Sequence, residues 1–240
     1  MLFRSTAGFS AIEIPYEPVW QFGGRSGVPF NRYCVNTKYG DAAGYRAALA
    51  ERGIARVSGI TFDPNLFMRN ANLDFFFGAS GHFAGEALAH AAEMGADYFA
   101  ISPSPYYGRA LHYHPDLEAQ REAFTARTVD LLAGLAAKAQ DLGVALVLRN
   151  EYWSLFGAER LDPLLARLPA NVLLDLDTAN LFVAGISATD FLEAYSGRIG
   201  CVHLTDTSFK DTTGIWKTPN PEIGRAHVCS SHTDISRMPS

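Results

Sequence analysis

At 240 residues and 26.2 kDa, with 48% apolar and 19% charged residues, the chain is long enough for one large domain around a substantial core. Its 20 Lys and Arg against 25 Asp and Glu give a formal charge of −5, and no basic run is present, which excludes a general nucleic-acid surface. Apolar stretches are strand-sized, short of the roughly 20 residues that span a bilayer. There is no export signal, and Cys34, Cys201 and Cys229 show no CxxC spacing, so a soluble cytoplasmic protein without a zinc ribbon or disulfide frame is expected.

In chain order, β-rich runs alternate with helical patterns. Residues 10–14 are expected as a strand, and 41–52 as a helix stopped by Gly53. A strand at 55–62 is followed by an Ala-rich helix at 82–94 closed by Gly95, then a strand at 96–102. A long helix spans 115–142 with a Gly143 stop, and the unbroken apolar run 144–148 reads as a strand buried on both faces. A short helix at 162–168, a strand at 171–177, a helix at 188–195 and a strand at 199–204 complete the pattern.

Strands alternating with helices imply a parallel sheet, either doubly wound or closed as a (β/α)8 TIM barrel. The first strand runs into Pro15-Tyr-Glu17 rather than a Gly-rich phosphate turn, which disfavours a nucleotide-binding sheet. Polar residues gather instead at the C-terminal ends of successive strands: Glu13 and Glu17, Asp63, Ser102 and Ser104, Glu151, Asp177, His203 and Asp206. In a barrel these ends converge on one face, where active sites sit. Six strands are two short of closure, so the expectation is an incomplete α/β barrel over 1–222, missing its first βα unit and its last strand. Residues 223–240 are polar and aperiodic. Back-translated, Glu222 to Val228 and later pieces match a common sequencing-library adapter, so this stretch reads as a non-native read-through tail, and His227, Cys229 and His232 are assigned to no site.

The strongest candidates for chemistry are Glu151, Asp177 and His203, one at each of three successive strand ends. Two carboxylates and an imidazole suit a divalent ion (Mn²⁺, Mg²⁺, Co²⁺ or Zn²⁺) with positions open to substrate oxygens. Taken singly, Asp177 before Thr178 could equally be a cap, and His203 a core residue.

Leu176-Asp-Thr-Ala-Asn180, Cys201-Val-His-Leu-Thr-Asp206 and the strand ending Arg149-Asn-Glu151 resemble the sugar phosphate isomerase/epimerase group with the xylose isomerase-like TIM barrel, which includes ketose 3-epimerases and hydroxypyruvate isomerases. The resemblance covers about 10–222 and implies one divalent metal held by Glu, Asp, His and Glu from the last four strands. The first three would be Glu151, Asp177 and His203, and the fourth has no counterpart here. Two departures stand out. Arg149 occupies the position where the family usually has its first Glu, with Glu151 two residues on and on the same strand face. Asn180 stands where many members carry His. The implied activity is isomerisation or epimerisation of a small sugar or sugar phosphate through an enediolate. Glu151 would act as base, and the chain as written would be nearly inactive without the last-strand Glu.

Arg149, Trp153, Asn180, Asp206 and His112 are the expected substrate-binding residues. His112 and His114 are expected on a loop, Arg109 and Lys210 as surface charges, and His82 as a helix cap. Trp20, Phe30, Phe67 and Phe75–Phe77 read as aromatic loops that wall a pocket or form a homo-oligomer contact. Two rivals remain at this point: an apurinic endonuclease-like metal enzyme on the same barrel, disfavoured by the acidic charge and a His-free stretch at 205–217, and a non-catalytic ligand-binding barrel.

Overall fold

A computed structural model describes residues 8–18, 28–152, 154, 156 and 161–205. Six strands form one parallel sheet in sequential order: β1 (Ala11–Pro15), β2 (Arg56–Phe62), β3 (Tyr98–Ile101), β4 (Ala145–Leu148), β5 (Val172–Asp177) and β6 (Ile199–His203). Sequential order with helical crossovers is the arrangement of an α/β barrel. The sheet curls far enough that side chains of its first and sixth strands touch, His203 Nε2 lying 3.1 Å from Glu13 Oε2. The expected α/β (TIM) barrel is therefore the observed architecture, with six of its strands among the described residues.

Eight α-helices lie among the described residues: α1 (Arg32–Tyr39), α2 (Ala42–Ala50), α3 (Leu73–Met94), α4 (Tyr107–Tyr113), α5 (Leu117–Leu142), α6 (Leu161–Leu165), α7 (Thr178–Ala184) and α8 (Ala188–Tyr195). Their starts follow from side chains that accept orphan backbone N–H groups: Asn31 from Cys34, Asp41 from Gly44, Asn72 from Phe75 and Ser187 from Asp190. The long helices stop at Gly95 and Gly143, both with positive φ, as the sequence pattern anticipates. On α3 the buried residues Phe77, Ser80, Ala84, Ala87, Leu88, Ala91 and Met94 recur every three or four positions, and that stripe seals the helix layer to the sheet. Phe62, Phe99 and Phe124 are among the largest fully buried side chains.

Helix α3 begins nine residues earlier than the sequence pattern suggested, because Asn72 caps it. Four expectations change. Phe75, Phe76 and Phe77 belong to a helix rather than a loop, and Phe76 and Phe77 are core residues. Phe67 is likewise buried, in a 3₁₀ turn at Pro64–Phe67. His82 sits inside α3, 3.7 Å from Glu86 one turn on, and caps nothing. The loop expected around His112 is helix α4, with His114 at its C-cap. Helices α1 and α7 were not anticipated; α7 is one residue shorter than α1 or α8 and follows β5 with no intervening loop.

Two irregularities aim side chains at the barrel interior. Glu13 pairs with Gly59 and Gly59 with Tyr98, and a Cβ at Gly59 would overlap the Tyr98 ring. Glycine there lets the ring lie over β2 and reach Glu13. Between β5 and β6 the register shifts by one residue opposite Gly200, so that Asp175 faces Cys201 and Asp177 faces His203. On the other face of β6, Val202 is exposed, as is Leu204 just beyond the strand.

Candidate metal centre

The interior side of the strand ends carries a buried, mostly acidic cluster. His203 is its junction. Its Nδ1 lies 2.7 Å from Asp175 Oδ1, and its Nε2 lies 3.1 Å from Glu13 Oε2. Tyr98 donates its hydroxyl to the same Glu13 oxygen at 2.5 Å, and the Cys201 thiol lies 3.4 Å from Asp175 Oδ1. Burial alone would lower the basicity of the imidazole. Hydrogen bonds to Asp175, Cys201 and Glu13 outweigh that and push its pKa up to about 12.

From β4, Arg149 projects into the same space, its Nη1 3.3 Å from Glu151 Oε1. Four carboxylates act on that guanidinium, those of Glu151, Asp175, Glu13 and Asp63, and they hold its proton more firmly although burial opposes this. Glu151 is 3% exposed. Burial pushes its carboxyl well above the usual range, and the charge of Asp63 adds to the shift while Arg149 opposes it. Asp63 is raised as well, again chiefly by burial.

Asp177 does two jobs. Its Oδ1 accepts from the N–H groups of Ala179 and Asn180, making it the N-cap of α7, and from the Thr205 hydroxyl at 2.6 Å. Those hydrogen bonds all fall on one oxygen, which leaves Oδ2 available to a cation. Asn150 clips the backbone of Asp177, accepting its N–H at 3.1 Å and donating to its carbonyl at 3.4 Å. Asn180 accepts the Tyr152 N–H at 3.1 Å, tying α7 to the segment after β4. Through these straps the ends of β4, β5 and β6 are held together. Among the described residues, the side chains whose ligand atoms lie within 4.8 Å of one another are Asp175, Cys201 and His203, and Glu151 and Asp177 stand at the neighbouring strand ends outside that group.

The residues fit a divalent cation. Among the described residues, Glu151 Oε2 and Asp175 Oδ2 are fully buried carboxylate oxygens with no hydrogen-bond partner, a costly condition unless a cation completes them. Around Arg149, four carboxylates face that guanidinium and one imidazole, with Arg109 acting on Asp63 from outside, so negative charge is in excess even with His203 protonated. Burial is the main cause of the raised proton affinities of Glu151 and Asp63, and for Glu151 the neighbouring carboxylates of Asp63 and Asp175 add to it. Carboxylate and imidazole donors suit Mg²⁺, Mn²⁺, Co²⁺ or Zn²⁺.

Of the expected substrate-binding residues, Arg149 lies in this cluster and Asn180 directly beside it. His112 is exposed on α4, edge-on to the Tyr113 ring. Trp153, Asp206, Lys210 and Trp20 lie outside the described residues. Glu13 was visible only as a strand-end acid, and Tyr98 and Asp175 were missed. Asp175 had a usable signal, since it lies two residues before Asp177 and so shares its strand face.

Six parallel strands in sequential order, with a buried acidic cluster at their C-terminal ends, define an α/β barrel of the TIM class. The sequence profile of the xylose isomerase-like TIM barrel matches residues 4–233, and the chain belongs to that family. Its fold is similar to D-psicose 3-epimerase from Clostridium cellulolyticum H10 (TM-score 0.63, 14% identity, 88% of this chain and 70% of that one). It is also similar to D-allulose 3-epimerase from Methylomonas sp. (0.58, 18%, 89% and 69%) and to a sugar phosphate isomerase/epimerase from Parabacteroides distasonis ATCC 8503 (0.57, 14%, 88% and 69%). At such identities the likeness concerns the fold. No curated protein sequence matches significantly. Among the described residues no helix is long and apolar enough to cross a membrane.

Proposed function

We propose that the protein is a divalent-metal-dependent isomerase or epimerase of a small sugar or sugar phosphate, working by proton transfer next to a carbonyl. The observation that supports this reading is the buried cluster at neighbouring strand ends, where Asp177 is register-paired with His203 and the carboxylates of Glu151 and Asp175 each keep an oxygen without a partner. Glu151, Asp177 and His203, with Asp175 close by, would hold the ion. When bound, the ion supplies electrophilic stabilisation of a carbonyl and its adjacent hydroxyl. Mn²⁺ or Mg²⁺ is the expected occupant.

The rest of the chemistry belongs to side chains. Glu151, with its proton affinity raised by burial, is poised to take a proton from the carbon beside the carbonyl, a contribution of about 10²–10⁴-fold. Arg149, a quarter exposed, offers its remaining N–H groups to the oxyanion that develops. Asn150 and Asn180 fix the strand ends on which these groups stand. The partner that returns the proton, which the resemblance implies as a Glu on the last strand, is assigned to no residue of this chain.

Solvent-deuterium wash-in isolates the half-reaction that needs Glu151 alone. The Mn²⁺-loaded chain, incubated in D₂O with a panel of ketoses and ketose phosphates, should incorporate deuterium beside the carbonyl of at least one substrate, and Glu151→Gln should abolish it. Wash-in from no panel member by a chain that demonstrably holds the metal would refute the reading.

A further inference from the structure

The geometry points to an inner cation position, one residue pair below the strand ends, formed by Asp175, Cys201 and the Nδ1 side of His203 and selective for a soft divalent ion such as Zn²⁺ or Co²⁺. It rests on the reading of this cluster as a cation centre and adds an alternative, inner position that shares His203, with its own ligand atoms and its own ion preference. One ligand atom from each of the three residues lies within 4.8 Å of the others. Cys201 Sγ and Asp175 Oδ1 are 3.4 Å apart, the spacing of two neighbouring ligands around a tetrahedral zinc with bonds of about 2.0 and 2.3 Å. Asp175 Oδ1 and His203 Nδ1 are closer, at 2.7 Å, because a proton joins them; an ion replacing that proton would part them.

Three further features support a built site. Asp175 is fully buried and its Oδ2 has no hydrogen-bond partner. The register shift opposite Gly200 is what sets Cys201 against Asp175. On the far side of the ring, Glu13 meets His203 Nε2, and Tyr98 in turn donates to Glu13. A carboxylate on the second imidazole nitrogen is the usual way a protein orients a metal-bound histidine. A thiolate ligand shifts preference away from Mg²⁺ and Mn²⁺ towards Zn²⁺ and Co²⁺.

Co²⁺ added to the metal-free 240-residue chain tests this directly, because a cysteine thiolate on Co²⁺ gives a charge-transfer band in the near-ultraviolet. The band should appear at one Co²⁺ per chain, persist in Cys229→Ser and in Asp177→Asn, and vanish in Cys201→Ser. Glu13→Gln, which keeps the ligands and weakens only the orienting contact, should loosen Co²⁺ by about 10–100-fold. Absence of the band from the folded wild-type chain would overturn the inner position. So would Co²⁺ binding that is lost in Asp177→Asn and untouched in Cys201→Ser, an outcome that leaves the strand-end cation centre standing. Circular dichroism of Cys201→Ser, with Cys201→Ala as a second variant, separates loss of the ligand from loss of the fold.

Discussion

Arg149→Gln removes the guanidinium on which four carboxylates converge, and its cost follows from the geometry. The closest contact, to Glu151 Oε1, is 3.3 Å. Opposite charges about 4 Å apart at an effective dielectric near 20 attract by about 4 kcal/mol. Arg149 keeps 25% of its side chain in solvent, which screens part of that, so a loss of about 2–3 kcal/mol is expected near pH 8. Glu151, whose folded pKa is already raised to about 7, rises further in the variant. A raised carboxyl supports stability fully below its unfolded pKa and loses that support as pH climbs through the folded value. At about pH 5 Glu151 is protonated in the folded chain with or without Arg149, so the cost there should shrink by about 1.4 kcal/mol for each unit of added shift. Urea unfolding of metal-free protein at the two pH values, followed by circular dichroism, reads both numbers. Saturating Mn²⁺ should narrow the gap near pH 8, because the ion takes over the neutralising role. A loss that is equal at both pH values, or smaller than about 0.5 kcal/mol near pH 8, would refute the electrostatic reasoning.

Three further outcomes are expected. Gly59→Ala should destabilise the chain by about 1–3 kcal/mol, since its methyl overlaps the Tyr98 ring, and should weaken divalent-ion binding through Glu13; chemical denaturation and ion titration of the same variant test the pair. Asp177→Ala should cost about 1 kcal/mol through the lost cap of α7 as well as divalent affinity, whereas Asp177→Asn should keep most of the cap and still lose affinity; equal stability of the two variants would contradict the double role. In chelator, melting temperature should fall as pH rises above about 6.5. The unfolded chain releases its His203 proton there, while the folded chain holds it towards pH 12, so stability present below 6.5 is progressively lost. His203→Gln should flatten that slope.

The barrel was legible because its signals are local. Gly stops at 95 and 143, apolar runs of strand length and polar strand ends each follow from a few neighbouring residues, and together they allow few topologies. Helix α3 was started too late because Phe75–Phe77, apolar on every side, hides the 3.6 period that Asn72 in fact initiates. The site was half legible for a similar reason. Period-two alternation puts Arg149 with Glu151 and Asp175 with Asp177, but it cannot reveal the register shift that sets Cys201 against Asp175. Nor does one sequence show that β1 curls round to bring Glu13 to His203, 190 residues away, or that the bare edge of Gly59 lets Tyr98 reach across β2. Asp177 illustrates the overlap of roles: a cap and a ligand call for the same residue at the same strand end, and one carboxylate has an oxygen for each.

The central claim is that the inner face of β4, β5 and β6 is a cation centre with His203 at its junction. Calorimetric titration of Mn²⁺ and Zn²⁺ into the metal-free wild-type chain and into folded His203→Ala measures it most directly. One ion per wild-type chain is predicted, with binding lost in the variant. Failure of the wild-type chain to bind either ion, or an unchanged affinity in His203→Ala, would contradict it.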